Sequence, residues 1–208
     1  MAVLAAVALL LGGLVAICLV WRYAALPCPW WMVPLLENPY FQLVAGAELL
    51  MDRAGIGPGM AVLDAGCGPG RMTVPMSARV GDAGRIVAFD RQPRMLQRLQ
   101  ERVADRGLGN VETVLGKLGE GLLPAAAFDV AVLVTVLGEI PDKVGALVEI
   151  RDALRSGGVL SVTEVLPDPH YQSLTRVRAL AAAAGLREER LFRGWAGYTV
   201  NLVRGGSD

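Results

Sequence analysis

Between residues 62 and 70 the chain reads VLDAGCGPG, with Gly66, Gly68 and Gly70 at alternate positions directly after an apolar run. Glycine has no Cβ, so such a loop reaches positive φ and lets a ligand approach the backbone. A helix starting just beyond it offers unpaired N–H groups and a positive dipole end, a place for a ligand carboxylate. Asp90 closes the next apolar run, IVAFD. A carboxylate there can accept from two neighbouring hydroxyls at once, in charge-assisted bonds stronger than neutral ones. The competing use of Asp90 is to cap the helix that opens at Pro93. The dinucleotide fingerprint requires a further glycine at position 71, where Arg71 stands instead, and this counts against a nicotinamide or flavin cofactor.

A second set of reactive side chains lies further on: Glu139, Asp142, Glu164, His170 and Tyr171. Glu139, His170 and Tyr171 are the candidates for moving a proton. Each also has an ordinary reading: a solvated loop carboxylate for Glu139, which is the favoured one, a structural or solvent-facing imidazole for His170, and a packing ring for Tyr171. Cys18, Cys28 and Cys67 form neither a CxxC pair nor a Cys/His cluster, so no disulfide framework and no metal site is expected. Eighteen arginines and two lysines are balanced by 20 acidic residues, which excludes a general nucleic-acid footprint. Arg91, Arg94, Arg98, Arg102 and Arg106 nevertheless recur at three and four residues. They form a stripe that is either a solvated surface or a face turned to anionic headgroups.

To bring these groups together the chain needs alternating strands and helices, and its apolar pattern supplies them. A helix is expected over Phe41–Ala54, ended by Gly55. The pattern then predicts strand Ala61–Asp64, helix Arg71–Val80, strand Arg85–Asp90, helix Pro93–Arg106 and strand Val111–Leu115. Strand Phe128–Thr135, helix Pro141–Arg155 opened by proline, strand Val159–Leu166 and helix Ser173–Ala184 follow. Such alternation implies an α/β fold, a doubly wound, mostly parallel sheet of seven strands. The last two strands, Leu186–Phe192 and Tyr198–Val203, are joined by too few residues for a crossover helix, so they form a C-terminal antiparallel hairpin.

Residues Met1 to Val20 carry no charged side chain and reach the length of a bilayer's hydrocarbon core. Residues 1–21 are therefore read as one transmembrane anchor. A cleaved signal peptide would need a basic stretch before the apolar run, and none is there. Arg22 is the nearest charge, which places the downstream domain on the cytoplasmic side. Residues 22–40, with Trp30, Trp31 and four prolines, read as an interfacial linker, and 41–208 as the soluble domain.

Asp64, Gly66, Gly68 and Gly70 followed by Asp90, together with FDVAVLVTVLGEIPD and EIRDALRSGGVLSVTEVLPDPHY, make residues 40–204 resemble the class I S-adenosylmethionine-dependent methyltransferases. The resemblance implies a site for S-adenosylmethionine. It assigns Asp64 with Ala65, Gly66, Cys67, Gly68 and Gly70 to the methionine end, and Asp90 with Arg91 to the ribose. It assigns Leu118 to the adenine, and Thr135 and Val136 to the methionine moiety. The chain departs from the family after the third strand, where Gly116, Lys117 and Leu118 stand and many members carry an acidic residue. The implied activity is methyl transfer with no metal, and the apolar segment at residues 1–21, not the resemblance, points to a small, lipophilic or membrane-associated acceptor. The alternatives are a membrane-bound scaffold or sensor that keeps the fold without catalysis, and a dinucleotide-dependent oxidoreductase.

Overall fold

The computed structural model describes residues 27–29 and 38–205. The expected anchor, 1–21, and most of the linker lie outside them. Among the described residues no helix is long and apolar enough to cross a membrane.

The expected helix over 41–54 is two helices, α1 (Pro39–Ala45) and α2 (Ala47–Ala54). Gly46 between them is extended, at φ −63° and ψ 147°, and a Cβ there would approach the Gln42 carbonyl oxygen to 2.4 Å. The start also moves into the expected linker: Pro39 occupies the first turn, where its missing N–H is harmless, and the Asn38 side chain accepts from Phe41 N at 3.2 Å.

Seven strands follow: β1 (Ala61–Ala65), β2 (Arg85–Asp90), β3 (Val111–Leu115), β4 (Phe128–Val134), β5 (Leu154–Val165), β6 (Leu186–Arg193) and β7 (Gly197–Arg204). The helices between them are α3 (Thr73–Val80), α4 (Pro93–Asp105), α5 (Lys143–Ala153) and α6 (Leu174–Ala183). The sheet order is β3-β2-β1-β4-β5-β7-β6. Strands β1 to β5 pair in parallel, and β7 lies antiparallel between β5 and β6. The doubly wound sheet and its C-terminal hairpin are thus as the pattern predicts.

Alternation along the strands divides the core. Leu63, Phe89 and Leu133 face α5 and α6, meeting Leu147, Ile150 and Val177, all at most 1% exposed. Val62, Ile86 and Val132 face the other way, onto Met51 of α2 and Met76 and Val80 of α3. Every residue of β1 is buried because both faces are covered. Most element boundaries lie within two residues of expectation. Helix α5 begins at Lys143 and not at Pro141, since the Asp142 carboxylate accepts from Gly145 N at 2.9 Å and caps it. Strand β5 starts earlier, at Leu154, which pairs with Phe128 across an irregularity in the ladder. The strand order reverses between β1 and β4, so a crevice opens beyond their carboxyl ends.

Candidate active site

In that crevice lies a cavity of about 1040 Å³, at the large end for a small-molecule site. Its first wall is the loop after β1, tied down by the neighbouring strand. Gly66 N and Cys67 N both donate to Phe89 O, at 2.7 and 3.1 Å, and Gly70 N donates to Cys67 O at 3.0 Å. Gly68 N donates to Asp90 Oδ2 at 2.9 Å. These four N–H groups are used within the protein. The cause is the β1–β2 pairing, which runs on to Ala65 and Phe89. Gly68, at φ 53°, is where the loop lies open: a Cβ there would meet nothing within 4 Å.

Two assigned loop residues do not line the cavity. Ala65 is fully buried in the core, and Gly70 serves packing, since its Cβ would come within 2.4 Å of Leu99 Cδ1 of α4. Gly66, Cys67 and Gly68 do line it, with Asp64 behind them. Asp64 is 3% exposed and its Oδ2 accepts from Thr73 Oγ1 at 2.6 Å. Burial lifts its pKa to about 6, against the Thr73 bond and the nearby Arg71 charge. Arg71 also lines the cavity, its Nη1 donating to Ala45 O at 2.7 Å. In the sequence Arg71 speaks only against a dinucleotide. Its place directly after the loop was the signal that it reaches the site.

Asp90 performs two local tasks. Oδ1 accepts from Gln92 N at 2.8 Å, which settles the turn into α4, while Oδ2 holds the glycine loop. A carboxylate has about four acceptor positions, so capacity remains for a ligand's hydroxyls. Arg91 borders the cavity beside it. Arg94, Arg98 and Arg102 run along α4 and Arg106 follows its end, none of them lining this cavity, and Arg102 and Arg106 border a separate, smaller recess with Arg71. Leu118 lines the cavity with Gly116 and Lys117. Their loop is held by Glu149 of α5, whose carboxylate accepts from the N–H groups of Gly119, Leu122 and Leu123.

At the end of β4, Thr135 sits at φ 56°, a conformation unusual for a β-branched residue, with its N donating to Thr163 O at 2.9 Å. Thr135 and Val136 line the cavity as expected, and so does Glu139. The solvated-loop reading of Glu139 is corrected. Its side chain is largely buried, and Oε1 accepts from Cys28 N at 3.1 Å. Burial raises its pKa to about 8, opposed by that bond and assisted by Asp168 and Asp90. His170 is 5% exposed and lines the cavity; its backbone N donates to Asp168 Oδ1 at 2.6 Å and its Nδ1 lies 3.9 Å from the same oxygen. Tyr171 points away and packs edge-on against Tyr198, with ring centroids 6.1 Å apart, so its candidacy gives way to packing. Cys28 was not anticipated. Its carbonyl accepts from Gln92 Nε2 at 3.0 Å, so residues 27–29 bridge the exits of β2 and β4 beside the cavity.

Gly138 sets the spacing between the Glu139 turn and the His170 loop, since a Cβ there would fall 2.0 Å from His170 O. Gly138→Ala is expected to destabilise by about 1–3 kcal/mol, the usual range for overpacking. In thermal unfolding that lowers Tm by about 2–12 °C. An unchanged Tm would show that the loop yields.

A family model described as a methyltransferase domain matches residues 56–189. Nocamycin O-methyltransferase of Saccharothrix syringae is 32% identical over 123 residues, 59% of this chain and 44% of that protein. The "Probable cobalt-precorrin-6B C(15)-methyltransferase (decarboxylating)" of Methanothermobacter thermautotrophicus is 30% identical over 149 residues, 71% of this chain and 74% of that protein. The chain spans about half or less of the length of the first four curated relatives. Among solved structures, a SAM-dependent methyltransferase from Aquifex aeolicus superposes with a TM-score of 0.78 at 24% identity, over 85% of this chain and 98% of that one.

Proposed function

Because the chain belongs to the methyltransferase-domain family, we propose that it moves a methyl group from S-adenosylmethionine to a small, lipophilic acceptor that carries an ionisable proton. The observation that carries the reading is the coupling of Asp90 to the glycine loop, which joins a hydroxyl-accepting carboxylate to an open backbone at Gly68.

The lining fits this cofactor. Asp64 offers a buried carboxylate to an ammonium group, Arg71 a guanidinium to a carboxylate, and Asp90 its remaining acceptor positions to two ribose hydroxyls. Leu118 provides an apolar surface for the adenine, and Thr135 and Val136 for the methionine chain. When bound, the cofactor supplies an electrophilic methyl group on a sulfonium, and alignment is what the protein must add. Glu139 stands on the acceptor side. Its Oε1 is held by Cys28 N, which leaves Oε2 to take the acceptor's proton. The acceptor's body meets Tyr40, Phe41, Ile140, Leu166 and Pro167, an apolar wall that supports the lipophilic reading. The uncharged stretch at residues 1–20 supports an acceptor drawn from a membrane, with the domain on its cytoplasmic side.

Calorimetric titration of the full chain with S-adenosylmethionine, S-adenosylhomocysteine and NAD tests the cofactor. Binding of the first two then justifies a labelled-methyl screen of membrane lipid extract, phenols and thiols. Folded protein that binds neither would overturn the reading, leaving a scaffold or, with NAD bound, an oxidoreductase. Acidity gives a further check. Asp64 must be ionised to hold an ammonium group, and its pKa is about 6. Affinity for S-adenosylhomocysteine is therefore expected to be level above that value and to fall by about tenfold per pH unit below it. A flat profile down to pH ~4.5 would remove Asp64 from that role.

A further inference from the structure

Three separate elements place apolar side chains together in solvent at the rim of the cavity. Trp195, at the tip of the β6–β7 turn, is 76% exposed; Leu43 of α1 is 71% exposed; Leu166, just past β5, is 47% exposed. Leu43 lies three residues from Tyr40 on one side of α1, and Tyr40 joins that side to the other two elements. The Trp195 and Tyr40 rings meet edge-on with centroids 5.8 Å apart, the Tyr40 hydroxyl donates to Leu166 O, and Leu166 N donates to Ala196 O at 2.7 Å. Tyr40, Leu166 and Pro167 also line the cavity, so the face and the cavity mouth are continuous. A solvent-facing tryptophan of this kind is worth explaining, because contiguous exposed apolar surface marks an interaction site.

The chain outside the described residues identifies the occupant. Met1 to Val20 is uncharged and long enough to span a bilayer. Only eight residue steps separate Val20 from Cys28, which lines the same cavity, and even fully extended they cover at most about 29 Å. A bilayer holding that stretch therefore lies within reach of the face. Its composition suits the headgroup layer: tryptophan and tyrosine favour that depth, and Arg193, exposed beside Trp195, meets anionic headgroups. We propose that the face of Tyr40, Leu43, Leu166, Pro167 and Trp195 rests on a phospholipid bilayer, with the cavity mouth opening against the lipid. This deepens the reading of a lipophilic acceptor and rests on it: such an acceptor passes from the acyl layer into the cavity without crossing water.

The test uses the full chain with Trp21, Trp30 and Trp31 each replaced by Phe, which leaves Trp195 as the sole tryptophan. It is reconstituted in phosphatidylcholine and phosphatidylglycerol vesicles, with and without bromine on the upper acyl chain. The expected result is a blue-shifted Trp195 emission, quenched by the brominated lipid and shielded from acrylamide. Emission that is unquenched and open to acrylamide overturns the proposal. So does Trp195 already shielded in lipid-free protein, which would assign the face to the chain's own N-terminal segment or to a second copy. S-adenosylhomocysteine titration of the same sample separates the two readings. Intact cofactor binding without quenching removes the docking face alone, while quenching without cofactor binding supports the face and removes the methyltransferase reading.

Discussion

Replacing Asp90 by alanine is expected to weaken S-adenosylhomocysteine binding by about 10²–10⁴-fold. Each hydroxyl bonded to a carboxylate contributes about 1.5–3 kcal/mol, so losing two removes about 3–6 kcal/mol at roughly 1.4 kcal/mol per decade. The substitution also leaves Gly68 N and Gln92 N without their acceptor, which loosens the loop the ligand rests on. Asp90→Asn separates these effects: its amide oxygen can still accept from one backbone N–H, so its loss should be smaller. Calorimetry beside Asp82→Ala, an exposed carboxylate remote from the cavity, gives the comparison. If folded Asp90→Ala binds as tightly as the parent chain, the ribose role is wrong and Asp90 is only a cap.

The second large effect is expected at Glu139. With an acceptor that loses a proton, Glu139→Gln should lower kcat by about 10²–10⁴-fold, the usual contribution of a positioned base. Cofactor affinity should stay within about twofold, because the amide oxygen still accepts from Cys28 N. The pH profile carries the sign. The ionised carboxylate is the active form and its pKa is raised to about 8, so the parent rate rises with pH through that value, and the variant loses this limb. A rate that fell across the same range would mean that Glu139 works as a protonated donor. An unaltered limb in the variant would assign the titration to another group and remove the base role.

Much of this protein can be read from local pattern. The parallel strands, the final hairpin, the glycine loop and Asp90 each depend on residues close together in sequence. Strand β2 begins and ends where its apolar run does, since a strand buried on both faces leaves few other registers open. The chemistry of the cofactor end is legible for the same reason: Gly68 and Asp90 are consecutive products of one β-loop-α-β unit.

The acceptor end is different, because its properties come from contacts between distant residues. Glu139 looks like a loop carboxylate until Cys28, 111 positions away, donates to it and the cavity walls remove its water. His170 looks structural or solvent-facing until its loop closes over Gly138, and Tyr171 stays open between acceptor contact and packing until Tyr198 arrives from β7. Gly70 shares the loop's spacing, yet α4 turns it to packing against Leu99. Sequence by itself determined the order of the elements and placed the glycine loop and Asp90 at the ends of β1 and β2, because those follow from periodicity and local turns. Only the tertiary structure decided which carboxylate is dry enough to hold a proton near neutrality, because desolvation is a sum over neighbours that no single stretch of the chain contains.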